Sequence, residues 1–250
     1  MMKHLVTILY AIVAYVPVIS SFASFHQRTH VAFHTKHSLP KAVTFQLWST
    51  PESSSKSTTI TKTAEEPDNK PPEWIQERNR LSNKLLERCR DVGQIGTKTS
   101  DESRNAMREL SNQLMKYSDD DPAFVQLTQE HELLYSESPG GSSGAIGPFV
   151  GQVTQNFVNE VDFVNGVSLG PLNIQLMAER DILDSGRIKV EFRETVVKFL
   201  GLELVRKETN GKGVWEQLFV GIVPGLESKD ERILLRVMLT PSLFIIQQKL

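Results

Sequence analysis

At 250 residues, 39% hydrophobic and 23% charged, the chain has an ordinary globular composition, long enough for one large domain or two small ones. Its single cysteine, Cys89, excludes an intramolecular disulfide and any multi-cysteine metal site. The net charge of −2 divides unevenly, with +5 over residues 1–63 and −7 over residues 64–250; an acidic body argues against nucleic acid as a partner, because phosphates are held by clustered Lys and Arg.

The chain opens with MMKH, a short positive start, followed by an apolar run over residues 5–19 that Pro17 interrupts. A membrane span needs about 20 residues, so the run suits the hydrophobic part of a signal peptide. Residues 1–24 are therefore expected to be a signal peptide cleaved after Ala23 or Ser24, with a signal anchor as the alternative. No Asp or Glu occurs between Met1 and Pro51, and residues 25–50 combine Arg28, Lys36 and Lys41 with several Ser and Thr. Basic, hydroxylated and acid-free is the composition of an organellar transit peptide. Residues 25–63 are thus read as a plastid transit-like segment and linker. A signal peptide followed directly by such a segment resembles the bipartite presequence of plastids acquired by secondary endosymbiosis, and Ala23-Ser24-Phe25 fits its cleavage motif loosely. His26, His30, His34 and His37 could share one helical face, but the segment has no Cys or carboxylate to complete a metal site. Residues 64–73 are polar and proline-containing, and read as a disordered linker.

The folded body is expected over residues 74–250, with helices within 74–118 and β structure over 130–250. Two prolines lead into a first helix whose stripe is Trp74, Leu81, Leu85, Cys89 and Val92, ended by Gly93. Thr99-Ser100-Asp101-Glu102 offers a capping box for a second helix carrying Met107, Leu110, Leu114 and Met115. Asp119-Asp120-Asp121-Pro122 stops it; the triple Asp lacks the spaced carboxylates and closing Glu of an EF-hand.

After Phe124 the period changes to two. Strands are predicted over residues 131–136, 148–158, 162–168, 172–178, 187–193, 196–204, 214–223, 232–239 and 243–248. Turn signals fall between them, among them Asn165-Gly166, Gly170-Pro171 and Asn210-Gly211. Eight or nine short strands without βαβ alternation indicate a mainly β fold, an antiparallel sandwich or barrel. Phe149, Val153 and Phe157 are read as sharing one face, as are Ile188, Val190 and Phe192, and Trp215 with Phe219. In a sandwich such a face is core; in a barrel of about eight strands it can line a cavity for an apolar ligand.

Residues 138–151, SPGGSSGAIGPFVG, invite a phosphate or catalytic reading that their details exclude. No Gly-Lys-Ser/Thr closes a P-loop, the following segment reads as strand and not helix, and Ser142 and Ser143 are adjacent where a nucleophile elbow needs Gly-x-Ser-x-Gly. The expectation is a flexible loop joining two strands across one end of the β structure. No paired catalytic constellation has distinctive spacing, and the chain is read as non-catalytic and without a cofactor. An enzymatic alternative would rest on His131, Asp162, Glu191 and Glu216.

Leu133-Leu134-Tyr135-Ser136, the Gly/Ser run at 138–144, Gly147-Pro148-Phe149 and Val153-Thr154-Gln155 together resemble the start of the barrel in the plastid lipid-associated protein family, also called fibrillins. Asn165, the strand RIKVEF at 187–192, Leu235-Arg236-Val237 and Pro241-Ser242-Leu243-Phe244-Ile245 fit its later strands, so the resemblance spans about residues 75–250. His131 stands where the family has Trp, and Met238-Leu239-Thr240-Pro241 replaces its Arg-Gly-Asn-Lys-Gly approach to the last strand. The resemblance implies a lipocalin-like β-barrel preceded by two α-helices. The expected location is the plastid, peripheral to thylakoids or plastoglobules. The expected partners are a hydrophobic lipid or pigment (a carotenoid, quinone or acyl lipid) and a membrane or lipid-globule surface. On this reading the lipid-binding residues are Tyr135, Phe149, Val153, Phe157, Ile188, Val190, Phe192, Trp215 and Phe219. The alternative is a structural protein that docks on plastid membranes without a buried ligand.

Overall fold

The computed structural model describes residues 71–228 and 230–250. The expected signal peptide, transit-like segment and most of the linker lie outside the described residues.

Helix α1 spans Glu73–Val92, entered through Pro72 and ended by Gly93, whose positive φ of 75° and N–H bond to the Cys89 carbonyl turn the chain away. Its buried face is Leu81, Ser82, Leu85, Leu86 and Cys89; Trp74, expected on that stripe, is instead 53% exposed at the helix entrance. Helix α2 spans Asp101–Met115; its cap is Ser100, whose Oγ accepts from the Ser103 N–H at 3.2 Å, one residue beyond the Thr99–Glu102 pair of the expected capping box. Asp101 and Glu102 in its first turn oppose the positive end of the helix dipole. Met107, Leu110, Ser111 and Leu114 face inward, while Met115, on the edge of that stripe, is exposed.

The rest is mainly β. Strands β1 (Gln129–Ser136), β4 (Gln152–Phe157), β5 (Asp162–Leu169), β6 (Leu172–Ile182), β7 (Arg187–Phe199), β8 (Leu202–Pro224), β9 (Arg232–Leu239) and β10 (Leu243–Lys249) form one large antiparallel sheet; β2 (Ala145–Ile146) and β3 (Phe149–Val150) make a small separate hairpin. β1 pairs with β10 along one side and with β4 along the other, so the order β1-β10-β9-β8-β7-β6-β5-β4 returns to its start. Such pairing leaves no strand of the eight with an unpaired edge.

The two predicted strands at 187–193 and 196–204 are parts of longer elements. The chain runs through to Phe199, turns at Leu200-Gly201 and returns as β8, while the Asn210-Gly211 signal lies inside that strand. The turn is made by positive φ at both Leu200 (50°) and Gly201 (81°), the two-residue hairpin geometry that matches strand twist. Leu is a poor residue for such a position, which is why the pattern pointed elsewhere.

Beside a small group of Leu172, Ile174 and Val197, two large apolar clusters divide the sheet by face. One draws on every large strand and includes Leu133, Val153, Phe157, Phe163, Leu176, Val190, Trp215, Leu234 and Ile246; this is the inner face. The other joins α1 and α2, through Leu85, Cys89, Met107 and Leu114, to the outward side of β1, β8, β9 and β10, through Tyr135, Phe219, Leu235 and Ile245. The helical pair is thus a cover over one flank, and its apolar stripes are spent on the sheet.

Candidate functional site

Six of the nine predicted lipid-binding residues lie together on the inner face: Val153, Phe157, Ile188, Val190, Phe192 and Trp215, each at most 8% exposed. Aromatic rings from β4, β5, β8 and β7 stand in a line, the contact between Phe163 and Trp215 joining two strands that are not neighbours in the sheet. Phe157 and Phe163 have centroids 5.6 Å apart, Phe163 and Trp215 5.8 Å, and Trp215 and Phe192 6.4 Å, distances at which ring quadrupoles attract. Opposite Phe192 and Val190 on the neighbouring strand stand Gly211 and Gly213, which share the inward parity of Trp215 and add no side chain there.

The other three predicted residues are elsewhere. Tyr135 and Phe219 belong to the outer cluster under the helices. The cause is the same in both strands: a β-bulge between Leu133 and Tyr135, and another between Gln217 and Phe219, adds a residue and reverses the alternation. Val220, which strict alternation would set on the opposite face from Trp215, consequently joins the inner cluster. Phe149 is 59% exposed, because the chain leaves the main sheet at the β2–β3 hairpin and Gly151 interrupts the strand.

The glycine-rich run is tied down, contrary to the expected flexible loop. Residues Gly140–Ser143 form a 3-10 turn closed by Gly144 at φ 80°. Gln94, from the segment between the helices, donates its amide to the carbonyls of Ser143 (2.7 Å) and Gly151 (2.9 Å). A Cβ on Gly151 would stand 2.8 Å from the Ser168 carbonyl oxygen, so close packing of backbone on backbone requires glycine there.

Pattern reading missed a polar cluster among these rings. His131, Gln155, Gln217 and Arg236 are buried to 5% exposure or less, and Arg180 to 6%. Arg236 extends from β9 to β4, donating from Nη1 to Gln155 Oε1 at 3.0 Å, and from Nη2 to Gln217 Oε1 at 3.2 Å. The guanidinium carbons of Arg236 and Arg180 each lie 5.3 Å from the centroid of the Phe157 ring, within cation–π range. His131 meets the same ring edge-on at 5.3 Å. Arg180 donates from Nε to the Glu160 carbonyl at 2.7 Å. Three of the five residues keep polar atoms without a hydrogen-bond partner: Arg236 Nε, Gln217 Nε2 and both ring nitrogens of His131. Burial, aided by the Arg236 charge, pushes the His131 imidazole down to about 3. Burial and the neighbouring Arg180 pull Arg236 down to about 9. Arg180 is lowered by burial, partly offset by Glu160. Gln155 has the parity of Val153 and Phe157, and Arg236 that of Leu234 and Met238; alternation alone would have pointed them inward.

The acids named for an enzymatic alternative do not converge on His131. Asp162 accepts from Asn159 at an exposed turn, Glu191 pairs with Lys189 (2.7 Å) and Lys212 (3.1 Å), and Glu216 is exposed. Among the described residues, no group of three or more His, Cys, Asp or Glu is placed to hold a metal ion, and no helix is long and apolar enough to cross a membrane. Neither a family model, nor a curated protein, nor a solved structure matches the chain.

Proposed function

We propose that this chain is a plastid lipid-associated, fibrillin-like protein. On this reading its eight-stranded sheet is a lipocalin-like barrel that binds or sequesters one small hydrophobic molecule at thylakoids or plastoglobules, without catalysing a reaction on it. The observation that carries the reading is the aromatic line Phe157–Phe163–Trp215–Phe192 on the inner face. Burial of ligand surface against such rings supplies about 25 cal/mol per Å², less the cost of ordering. The resemblance in the 133–155 segment and the acid-free front of the chain support the family and the plastid. Val153→Trp adds bulk on the inner face of β4 and is expected to abolish binding of palmitate, β-carotene or decyl-plastoquinone while a cooperative unfolding transition persists. Unchanged affinity in that variant would remove the interior as the binding place.

A second reading, docking on a membrane or globule surface, is favoured by the tip of the β7–β8 hairpin, where Leu200, Leu202 and Leu204 are 72%, 71% and 44% exposed. Replacing Leu200 and Leu202 by Ser is expected to lower co-sedimentation with galactolipid vesicles. Co-sedimentation equal to that of the parent chain would dismiss this tip as an anchor.

A further inference from the structure

The inner polar cluster carries two guanidinium cations, Arg180 and Arg236, and contains no acid. Arg236 is 1% exposed, its named partners are two amide oxygens and the Met238 sulfur, and its Nε has none. Arg180 lies against the same Phe157 ring, so two guanidiniums contact one aromatic ring, with no carboxylate of the described residues bonded to either. The charge of Glu160 partly offsets the burial of Arg180. A buried cation without a counter-ion is costly, and protein interiors normally pair it with a carboxylate. The amide oxygens of Gln155 and Gln217 are already turned toward Arg236, which leaves the Gln217 Nε2 donor and Arg236 Nε unpaired, with the His131 nitrogens beside Phe157. What satisfies Arg236 Nε and Gln217 Nε2 together is an acceptor-only group with negative charge; the neutral imidazole of His131, with one donor and one acceptor nitrogen, is not part of that demand.

Resting on the lipid-binding reading above, we propose that the interior takes an amphiphile with an anionic head: a long-chain carboxylate whose oxygens engage Arg236 and the Gln217 amide, with its hydrocarbon tail along Phe163, Trp215 and Phe192. The cation then gains the counter-ion that the chain does not supply. A pure hydrocarbon pigment would leave it bare.

The test compares palmitate, methyl palmitate and acetate as ligands of the full chain, followed by titration calorimetry. Palmitate is expected to bind about tenfold to a hundredfold more tightly than its ester, the range of a charge-assisted hydrogen bond. Arg236→Met should abolish that advantage. Because this variant could fail to fold, Gln217→Glu is the second arm. It sets a carboxylate of the chain beside the guanidinium, and is expected to raise the thermal midpoint and to erase the preference for palmitate over ester. Equal binding of palmitate and ester by the parent chain overturns the anionic head and leaves lipid binding standing. Acetate binding without either lipid keeps an anion site but overturns the amphiphile and the lipid reading with it. No binding of any of the three overturns both.

Discussion

His131 is 0% exposed, and neither ring nitrogen has a hydrogen-bond partner. The groups around it are Phe157, edge-on to the ring, and the Arg236 cation; both burial and that charge disfavour a proton on the imidazole, whose pKa falls to about 3. In the unfolded chain the same group titrates near 6.5. Between about pH 3 and 6.5 the unfolded state therefore binds more protons, and stability rises with pH across that window. It is lost as pH falls below about 6.5, by up to about 1.4 kcal/mol per pH unit from this residue. His131→Phe keeps a ring of similar breadth and removes the titration. The acid limb of a urea-midpoint profile is expected to flatten in that variant; the same slope in both proteins would show that His131 does not titrate across unfolding. At the same scale Gly96 shows how tightly the connector between the helices is laid. A Cβ there would lie 2.7 Å from the Tyr135 ring and 2.9 Å from the Ser136 carbonyl oxygen, where only a hydrogen fits.

Strand β8 carries both faces of the account. Trp215 and Gln217 point inward, the bulge intervenes, and Phe219 enters the layer between sheet and helices. Phe219 is fully buried there, so Phe219→Leu is expected to lower the denaturation midpoint, with a cost of about 1 to 3 kcal/mol. Its affinity for an interior ligand should stay within about twofold of the parent chain. A large loss of affinity without a loss of stability would return Phe219 to the site. This division marks the limit of what the residues alone conveyed. The helix starts, the Ser100 cap and most strands follow from local signals, because caps and two-residue periodicity act over a few neighbours. Bulges do not: an extra residue at 218 leaves the hydrophobic pattern plausible on either face, and only the partner strand decides. The β7–β8 turn escaped for the opposite reason. Asn210-Gly211 has the better turn chemistry, yet the long pairing of β7 with β8 holds it extended and puts the turn on Leu200-Gly201. The polar cluster was legible in parity but not in meaning, since a Gln or Arg in an alternating strand reads as the solvent side until the pairing places it within.

Across the whole molecule the two apolar layers have different work. The outer one fixes α1 and α2 on β1, β8, β9 and β10 and takes up the helices' buried stripes. The inner one holds the aromatic line and a polar cluster with two guanidiniums, to which no acid of the described residues is bonded. A fold whose interior served packing alone would gain nothing from an uncompensated guanidinium there. The proposed binding role gives that group a partner, and it makes Trp215 the natural reporter, since it is 7% exposed within the aromatic line while Trp74 is 53% exposed at a helix entrance. The most direct test is to titrate the full chain with palmitate, β-carotene and decyl-plastoquinone while following tryptophan emission, beside a Trp215→Phe variant. The account predicts saturable quenching by at least one of the three, at one ligand per chain, with the signal lost in the variant. A flat response to all three, from a protein that still unfolds cooperatively, would contradict it.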